Sequence, residues 1–511
     1  MKPISLFTGF LTVGFWTLAS RMLGFVREIM LLSLIGPGPV MDAFVAAFRL
    51  PNMFRRFFAE GAFNAAFVPM FSSKLEDGED AAKFGNDALH LLAVVTMTLT
   101  ALAMVFMPTL VWFTAGGFNP ERFNMTIEFG RIVFPYIFFM SLSAFFSGVL
   151  NAKGRFVAAA AAPVLLNILI IASLMLAWIT GGPIVIWLIW TIPVAGIAQL
   201  ALTWRAAVNA GFKISFGIPK WTPDIIKMLR TAVPAALATG VMQINLVVGQ
   251  LVASQHDSAV SWLFAADRLY QLPLGVVGIA IGIVLLPDLS RRLTAKDFAG
   301  ARNAYSRATE FSMALTIPSA VALMVVPLPL VSVLFERGQT NADDVKSIAL
   351  AVSIYGLGLP AFVLQKVLQP QYFARGDTNS PFKFALVSMI INAVIAIGLA
   401  PFVGWVAPAI ATTVAGWTML AQLYWGVRNM GDATQVDSRY KKRLPKIIVS
   451  AIIMGAAMWF ISLLLTGLLE TPYLRYVALI ILLIVGFLSY FGMAQITGAL
   501  RIKDLRQATK R

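Results

Sequence analysis

The sequence predicts an all-α polytopic membrane protein: two pseudo-symmetric six-helix lobes followed by a C-terminal helix pair. Three observations predict it. The 511 residues are 59% hydrophobic and only 13% charged, with a mean hydropathy of +0.80, whereas a soluble domain carries roughly 25% charged residues. A bilayer-spanning helix needs about 20 predominantly apolar residues, and about fourteen such runs account for nearly the whole chain. The chain also repeats itself. "AAFRL" at 46–50 followed by "VPMFSSKL" at 68–75 is matched by "AADRL" at 265–269 followed by "LPDLSRRL" at 286–293, and "NAKG" at 151–154 is echoed by "FARG" at 373–376. Internal repeats of this kind are a common way to build transporters.

The composition also excludes several functions. With no cysteine there is neither a disulfide framework nor a thiolate metal site, and the two histidines, His90 and His256, lie far apart in sequence. Walker A and HExxH motifs are missing, so ATP use and metalloprotease chemistry lack support, and no cofactor is expected. The net charge of +16 raises the question of a nucleic-acid partner. Its distribution answers it. With a cytoplasmic N-terminus, the even-numbered loops and both termini hold about 28 of the 40 Lys and Arg residues and the opposite loops about four. The excess charge therefore reads as topology determinants resting on anionic membrane lipids, with both termini cytoplasmic and no nucleic acid involved.

In chain order, the first apolar run starts like a signal peptide but continues into Arg21 without an A-x-A cleavage pattern, so it reads as a retained first helix. It carries "SRMLGFVRE", in which Arg21 and Glu28 are seven residues apart and share a face, with Arg27 beside them. Residues 40–71 predict a long helix bent at Pro51. At 100° per residue Asp42, Arg49, Arg56 and Glu60 fall within about 40° of one another, and the line from Asp42 to Glu60 spans about 27 Å, close to the hydrocarbon thickness. Arg55 projects to one side. A charged side chain at a helix centre costs roughly 2.5–3.5 kcal/mol on insertion scales, so this stripe must face water or charged partners. Asp42 is expected to pair with an arginine on another helix, and the first helix supplies the candidates Arg21 and Arg27.

Six hydrophobic segments over 1–206 form the N-lobe, the basic stretch 207–222 with Pro219 is a cytoplasmic linker, and six segments over 223–428 form the C-lobe. An even number of spans gives both lobes the same orientation and leaves room for a cavity between them. "ADRLYQ" puts Asp267 and Arg268 at the repeat position of Arg49, while Lys366 in "LQKVLQP" either lines the cavity or snorkels. Residues 429–511 hold the last two spans, which have no counterpart in the repeat, and a basic tail. Gly36, Gly38, Gly275, Gly278 and Gly282 read as close-packing or hinge positions. Arginines outnumber nearby acids in the spans, and guanidinium matches phosphate geometry, so an anionic, phosphorylated substrate is expected.

"SRMLGFVRE", "DAFVAAFRLPNMFRRFFAEGAFNAAFVP" and "ADRLYQLPLGVVGIAIGIVLLP" resemble the MurJ (MviN) family of lipid II flippases, within the multidrug, oligosaccharidyl-lipid and polysaccharide exporter superfamily. The resemblance covers the full chain. It implies a fourteen-helix transporter, not an enzyme, that moves lipid II, the undecaprenyl-diphosphate-linked disaccharide-peptide, from the cytoplasmic to the periplasmic leaflet of the bacterial inner membrane by alternating access. Cell-wall synthesis machinery is an implied partner. The resemblance makes Arg21, Arg27, Arg55 and Arg268 substrate-binding residues, with Arg27, Arg55 and Arg268 on the diphosphate. Asp42 becomes the acid at the outward gate and Glu60 the acid organising the inner cavity; helical phase and the repeat, not the resemblance, put Arg49, Arg56, Glu28 and Asp267 in supporting places at the gate or cavity. The last two helices become a groove for the polyprenyl tail. One departure is Gln271, where some members carry a carboxylate. No acidic sodium site is read in the second lobe. The rivals are a cation-coupled multidrug or polyprenyl-linked oligosaccharide exporter on the same fold, a membrane transferase using a polyprenyl phosphate, and a non-transporting cell-wall scaffold; surplus carboxylates would favour the first and an aspartate cluster the second. Neither is present in the sequence.

Overall fold

The computed structural model describes residues 6–55, 62–77 and 80–500; among them all regular structure is helical. The chain packs as two compact units, Met1–Ser261 with Arg337–Gln339, and Trp262–Glu336 with Thr340–Arg511. The first contains α1 (Leu6–Leu34), α2 (Pro39–Arg55), α3 (Ala62–Glu76), α4 (Ala81–Val105), α5 (Met107–Ala115), α6 (Pro120–Val133), α7 (Tyr136–Ala152), α8 (Val157–Thr180), α9 (Ile184–Asn209) and α10 (Pro223–Ala253). α11 (Ala259–Thr294) begins in the first unit and continues in the second. The second unit adds α12 (Phe298–Val325), α13 (Pro327–Phe335), α14 (Ala342–Phe373), α15 (Asn379–Val403), α16 (Ala407–Val427), α17 (Ser438–Leu464), α18 (Thr466–Glu470) and α19 (Leu474–Thr497). Nine stretches of the described residues are long and apolar enough to cross a membrane. Large apolar side chains stand exposed on them, including Trp178, Trp190, Trp459 and Phe487, as expected where the surrounding solvent is hydrocarbon. This is a multi-pass membrane protein.

The repeat seen in the sequence recurs in the order of elements. α4 is followed by the nine-residue α5 and α12 by the nine-residue α13. Each short helix has proline in its first turn, at Pro108 and at Pro327, where the missing N–H costs nothing and the preceding helix cannot continue. The glycines of "NAKG" and "FARG", Gly154 and Gly376, both have left-handed backbones, with φ of +69° and +76°. That conformation accounts for the glycine in both copies.

Inside the membrane every polar group must find a partner within the protein. Buried hydroxyls do this by bonding back one turn: Thr96 donates to the Leu92 carbonyl at 2.7 Å, Thr100 to Thr96 at 2.7 Å and Thr203 to Gln199 at 3.0 Å. In the first unit a phenylalanine cluster joins α3, α4 and α7, with Phe67 and Phe145 ring centroids 4.9 Å apart. Ile225 and Met228 of α10 are buried in the same cluster. The sequence repeat assigns α10 to the second lobe, whereas by packing it belongs to the first unit, against α3, α4 and α5. Its apolar face has found this cluster, and the repeat boundary is no guide to that.

Within the second unit α17 and α19 pack on each other, and α17 packs on α12. Small residues allow the approach. A Cβ added at Gly486 would meet Met458 Sδ at 2.8 Å, and one at Gly455 would meet Val321 Cγ1 at 2.6 Å. Tyr490 Oη donates to the Ala314 carbonyl at 2.5 Å. Near the start of α17, Glu310 of α12 gathers Arg443 at 2.7 Å, Arg439 at 3.3 Å and Arg307, and Arg307 also reaches Asp437. Glu310 is buried, so these arginines compensate its charge and pin the C-terminal pair to the lobe.

Candidate functional site

Asp42 lies in the first turn of α2 and has no solvent exposure. Its carboxylate is fully engaged. Oδ1 accepts the Ser261 backbone N–H at 2.9 Å and the Ser261 hydroxyl at 2.5 Å; Oδ2 accepts the Ser258 N–H at 2.9 Å and Arg122 Nη1 at 3.2 Å. Ser258 and Ser261 flank the start of α11, where unsatisfied amides and the helix dipole favour an anion. Ser258 itself has φ of +63°. Asp42 thus caps, from another helix, the N-terminus of α11. Charge balance comes from Arg122 of α6, only 4% exposed, which also pairs with the solvent-facing Asp257 and stacks over Phe118 at 5.0 Å.

The arginine partner of Asp42 is thus Arg122 on α6 and not a first-helix arginine, because α6 and not α1 brings a guanidinium to this end of α2. One signal pointed to it. "NPER" reads as a helix start, with Asn119 capping and Pro120 in the first turn, and a cation in a first turn opposes the dipole unless an anion is near.

The described intramembrane arginines of the first unit sit in different settings. Arg27 Nη1 donates to Asn167 Oδ1 of α8 at 2.9 Å and its Nη2 lies 3.7 Å from Glu28, which is wholly buried. Asn167 Nδ2 in turn donates to the Ser20 carbonyl at 3.0 Å, and its side chain lies close to Gly24, within ordinary contact distance of where a Cβ would stand. Arg27 is thus fixed by a polar seam between α1 and α8. Arg21, six residues earlier, is exposed. Arg55 ends α2 and is partly buried. Arg56 and Glu60 lie outside the described residues, whereas Pro51, where the bend is predicted, lies inside α2.

Arg49 is partly buried and lines a small recess with Leu50, Met53, Thr114, Leu246, Val247 and Gln250, contributed by α2, α5 and α10. Gln250 is 2% exposed, and neither atom of its amide group has a hydrogen-bond partner among the described residues. A buried, unsatisfied polar group costs about 1–3 kcal/mol. Gln250→Leu, similar in size and apolar, is expected to raise stability by roughly 1–2 kcal/mol, measured as a higher thermal unfolding midpoint in detergent at a fixed heating rate. A lowered midpoint would contradict the unsatisfied amide.

In the second unit Arg268 is partly buried on α11 with its guanidinium 4.6 Å from the centre of the Phe264 ring. One residue earlier, Asp267 accepts a hydrogen bond from Gln271 Nε2 one turn on. Gln271, standing where some relatives are expected to carry an acid, thus restrains Asp267 instead of repelling it. The Tyr270 and Tyr355 rings lie tilted at 38° to each other with centroids 4.9 Å apart. Lys366 on α14 is exposed.

The family model described as lipid II flippase MurJ matches residues 31–479. A protein of Rhizobium tropici named a probable lipid II flippase MurJ is 40% identical over 99% of this chain and 97% of its own length. One of Rhizobium meliloti (strain 1021) with the same name is 43% identical over 89% of this chain and 86% of its own. Among solved structures, a lipid II flippase MurJ in an inward closed conformation superimposes with a TM-score of 0.81 at 24% identity, covering 95% of this chain and 98% of that one. An inward-facing MATE multidrug transporter of the MOP superfamily reaches a TM-score of 0.69 at 15% identity over 81% of this chain and 95% of that one. These two likenesses establish the fold. A family match across residues 31–479, with relatives at 40% and 43% identity over most of both chains, places this chain in the MurJ family of lipid II flippases.

Proposed function

We propose that this protein is a membrane transporter that flips lipid II, taking it from the cytoplasmic to the periplasmic leaflet of the inner membrane. The family match over residues 31–479 carries this reading. The chemistry of the chain agrees with it. Lipid II is an anion through its diphosphate, and Arg21, Arg27, Arg55 and Arg268 are the groups assigned to bind it; permanently charged planar guanidiniums can hold phosphate oxygens through two parallel hydrogen bonds. No bond in the substrate is made or broken, so no catalytic residue is called for.

The cycle is alternating access by the two repeat-related six-helix lobes, 1–206 and 223–428, joined by the linker 207–222, with α10 opening the second repeat although it packs on the first unit, in a fourteen-helix layout with both termini cytoplasmic. The tail groove belongs to 429–511. Diphosphate binding offsets the mutual repulsion of the arginines and thereby favours whichever state brings them closest, since a ligand shifts an equilibrium only through its differential affinity. Asp42 suits a gate for a related reason. Its contacts with Arg122, Ser258 and Ser261 are short, directional and confined to one end of α2, α6 and α11, so a small relative movement breaks all of them together.

The test is replacement. In cells depleted of their own flippase, expression of this chain should restore lipid II to the outer leaflet, measured by its accessibility to an externally added lipid II-cleaving enzyme. Absence of restoration by a protein present in the membrane at the normal level would overturn the assignment.

A further inference from the structure

The stretch between α9 and α10 is held firmly, yet it displays three large apolar side chains. Residues 211–222 have no regular secondary structure. Phe212 is 3% exposed, inserted into the phenylalanine cluster at 6.0 Å from Phe145 and 6.1 Å from Phe71. Next, the Asn86 side chain clamps the backbone as a neighbouring strand would: Nδ2 donates to the Lys213 carbonyl at 2.9 Å and Oδ1 accepts the Ser215 N–H at 2.9 Å. His90 Nε2 donates to the Ser215 carbonyl at 2.7 Å. A Cβ on Gly217 would meet the His90 ring at 3.0 Å, so the strap runs close over it. At the far end Thr222 caps α10, its Oγ1 accepting the Ile225 N–H at 3.3 Å.

Between these fixed points Phe216 is 90%, Ile218 77% and Trp221 69% exposed, and Lys213 and Lys220 are exposed beside them. Nothing in the first unit covers these apolar groups. The strap begins two residues after α9, an apolar helix long enough to cross a membrane, so it lies at the bilayer edge by construction. Tryptophan favours the headgroup level, and lysines near a leaflet surface are drawn to anionic lipids.

We infer that residues 212–221 form a membrane-interface anchor: Phe216, Ile218 and Trp221 seat in the headgroup and acyl boundary of the adjoining leaflet, while Lys213 and Lys220 bind the phosphates of anionic phospholipids. The occupant is the surrounding membrane and not the transported substrate, so this inference stands or falls independently of the function proposed above. The clamp by Asn86 and His90 gives the anchor a fixed position on α4.

The chain has no cysteine, so Phe216→Cys provides a single labelling site, with Ile218→Cys as a second and Trp190→Cys on the lipid-facing side of α9 as the immersed control. An environment-sensitive fluorophore is attached and the protein reconstituted in phosphatidylcholine vesicles with or without phosphatidylglycerol. The expected result is blue-shifted emission at 216 and 218 and quenching by brominated acyl chains. Phosphatidylglycerol should at least double that quenching, and Lys213→Gln with Lys220→Gln, or high salt, should abolish the gain. Emission as in water at both sites while the control is quenched would overturn the inference, including the case in which the label is shielded only in native membranes by a protein. Quenching indifferent to phosphatidylglycerol would overturn the lysine assignment.

Discussion

Asp42→Ala is expected to destabilise the first unit by about 3–5 kcal/mol, the usual cost of breaking a buried ion pair by removing one partner. Arg122 is left at 4% exposure with its buried counter-charge gone. The exposed Asp257 remains, but its attraction is screened by water. The Ser258 and Ser261 amides at the start of α11 also lose their acceptor, which adds a lost cap to a lost ion pair. Thermal unfolding in detergent is the measurement. The paired replacement Asp42→Leu with Arg122→Met should recover much of the loss, because removing both charges leaves no orphan. A single alanine variant as stable as the parent, or a double variant no better than the single, would show that the contact carries little.

Arg27→Ala, Arg55→Ala and Arg268→Ala are each expected to lower lipid II flipping by roughly 10- to 150-fold at matched expression, if each contributes one charge-assisted hydrogen bond to diphosphate at about 1.5–3 kcal/mol. Arg27 needs a control because it also braces α1 against α8 through Asn167. Asn167→Ala removes that seam and keeps the cation. Equal transport defects in Asn167→Ala and Arg27→Ala would assign Arg27 a bracing role. Lysine at the three positions separates charge from geometry: poor rescue means the planar fork is needed, and full rescue means a point charge suffices. Normal transport by all three alanine variants would remove the diphosphate site from these residues.

Much of this protein is legible one helix at a time. Apolar run length predicts spanning helices because backbone polar groups in lipid must be satisfied within a segment. The paired "AAFRL" and "AADRL", and the "NAKG" and "FARG" glycines with their left-handed backbones, mark a repeated architecture. Helical phase requires a partner for Asp42, since no membrane helix carries an isolated carboxylate cheaply. Periodicity describes one helix, however, and cannot say which other helix faces it. That Asp42 meets Arg122, 80 residues on, and caps α11 some 216 residues on is a property of how α2, α6 and α11 converge.

The same limit applies elsewhere in the chain. The repeat puts α10 in the second lobe, but packing puts it in the first unit because Ile225 and Met228 bury in a cluster assembled from distant phenylalanines. Arg49 shares a phase with Asp42, yet it lines a recess with Gln250, a glutamine two hundred residues away whose burial no local pattern announces. The helices, their repetition and the surplus of intramembrane arginine can be read from the residues alone, because they follow from the local cost of placing each residue in lipid. Which charges are paired, and which polar groups are left wanting, follows from the packing, because it depends on faces brought together from remote parts of the chain.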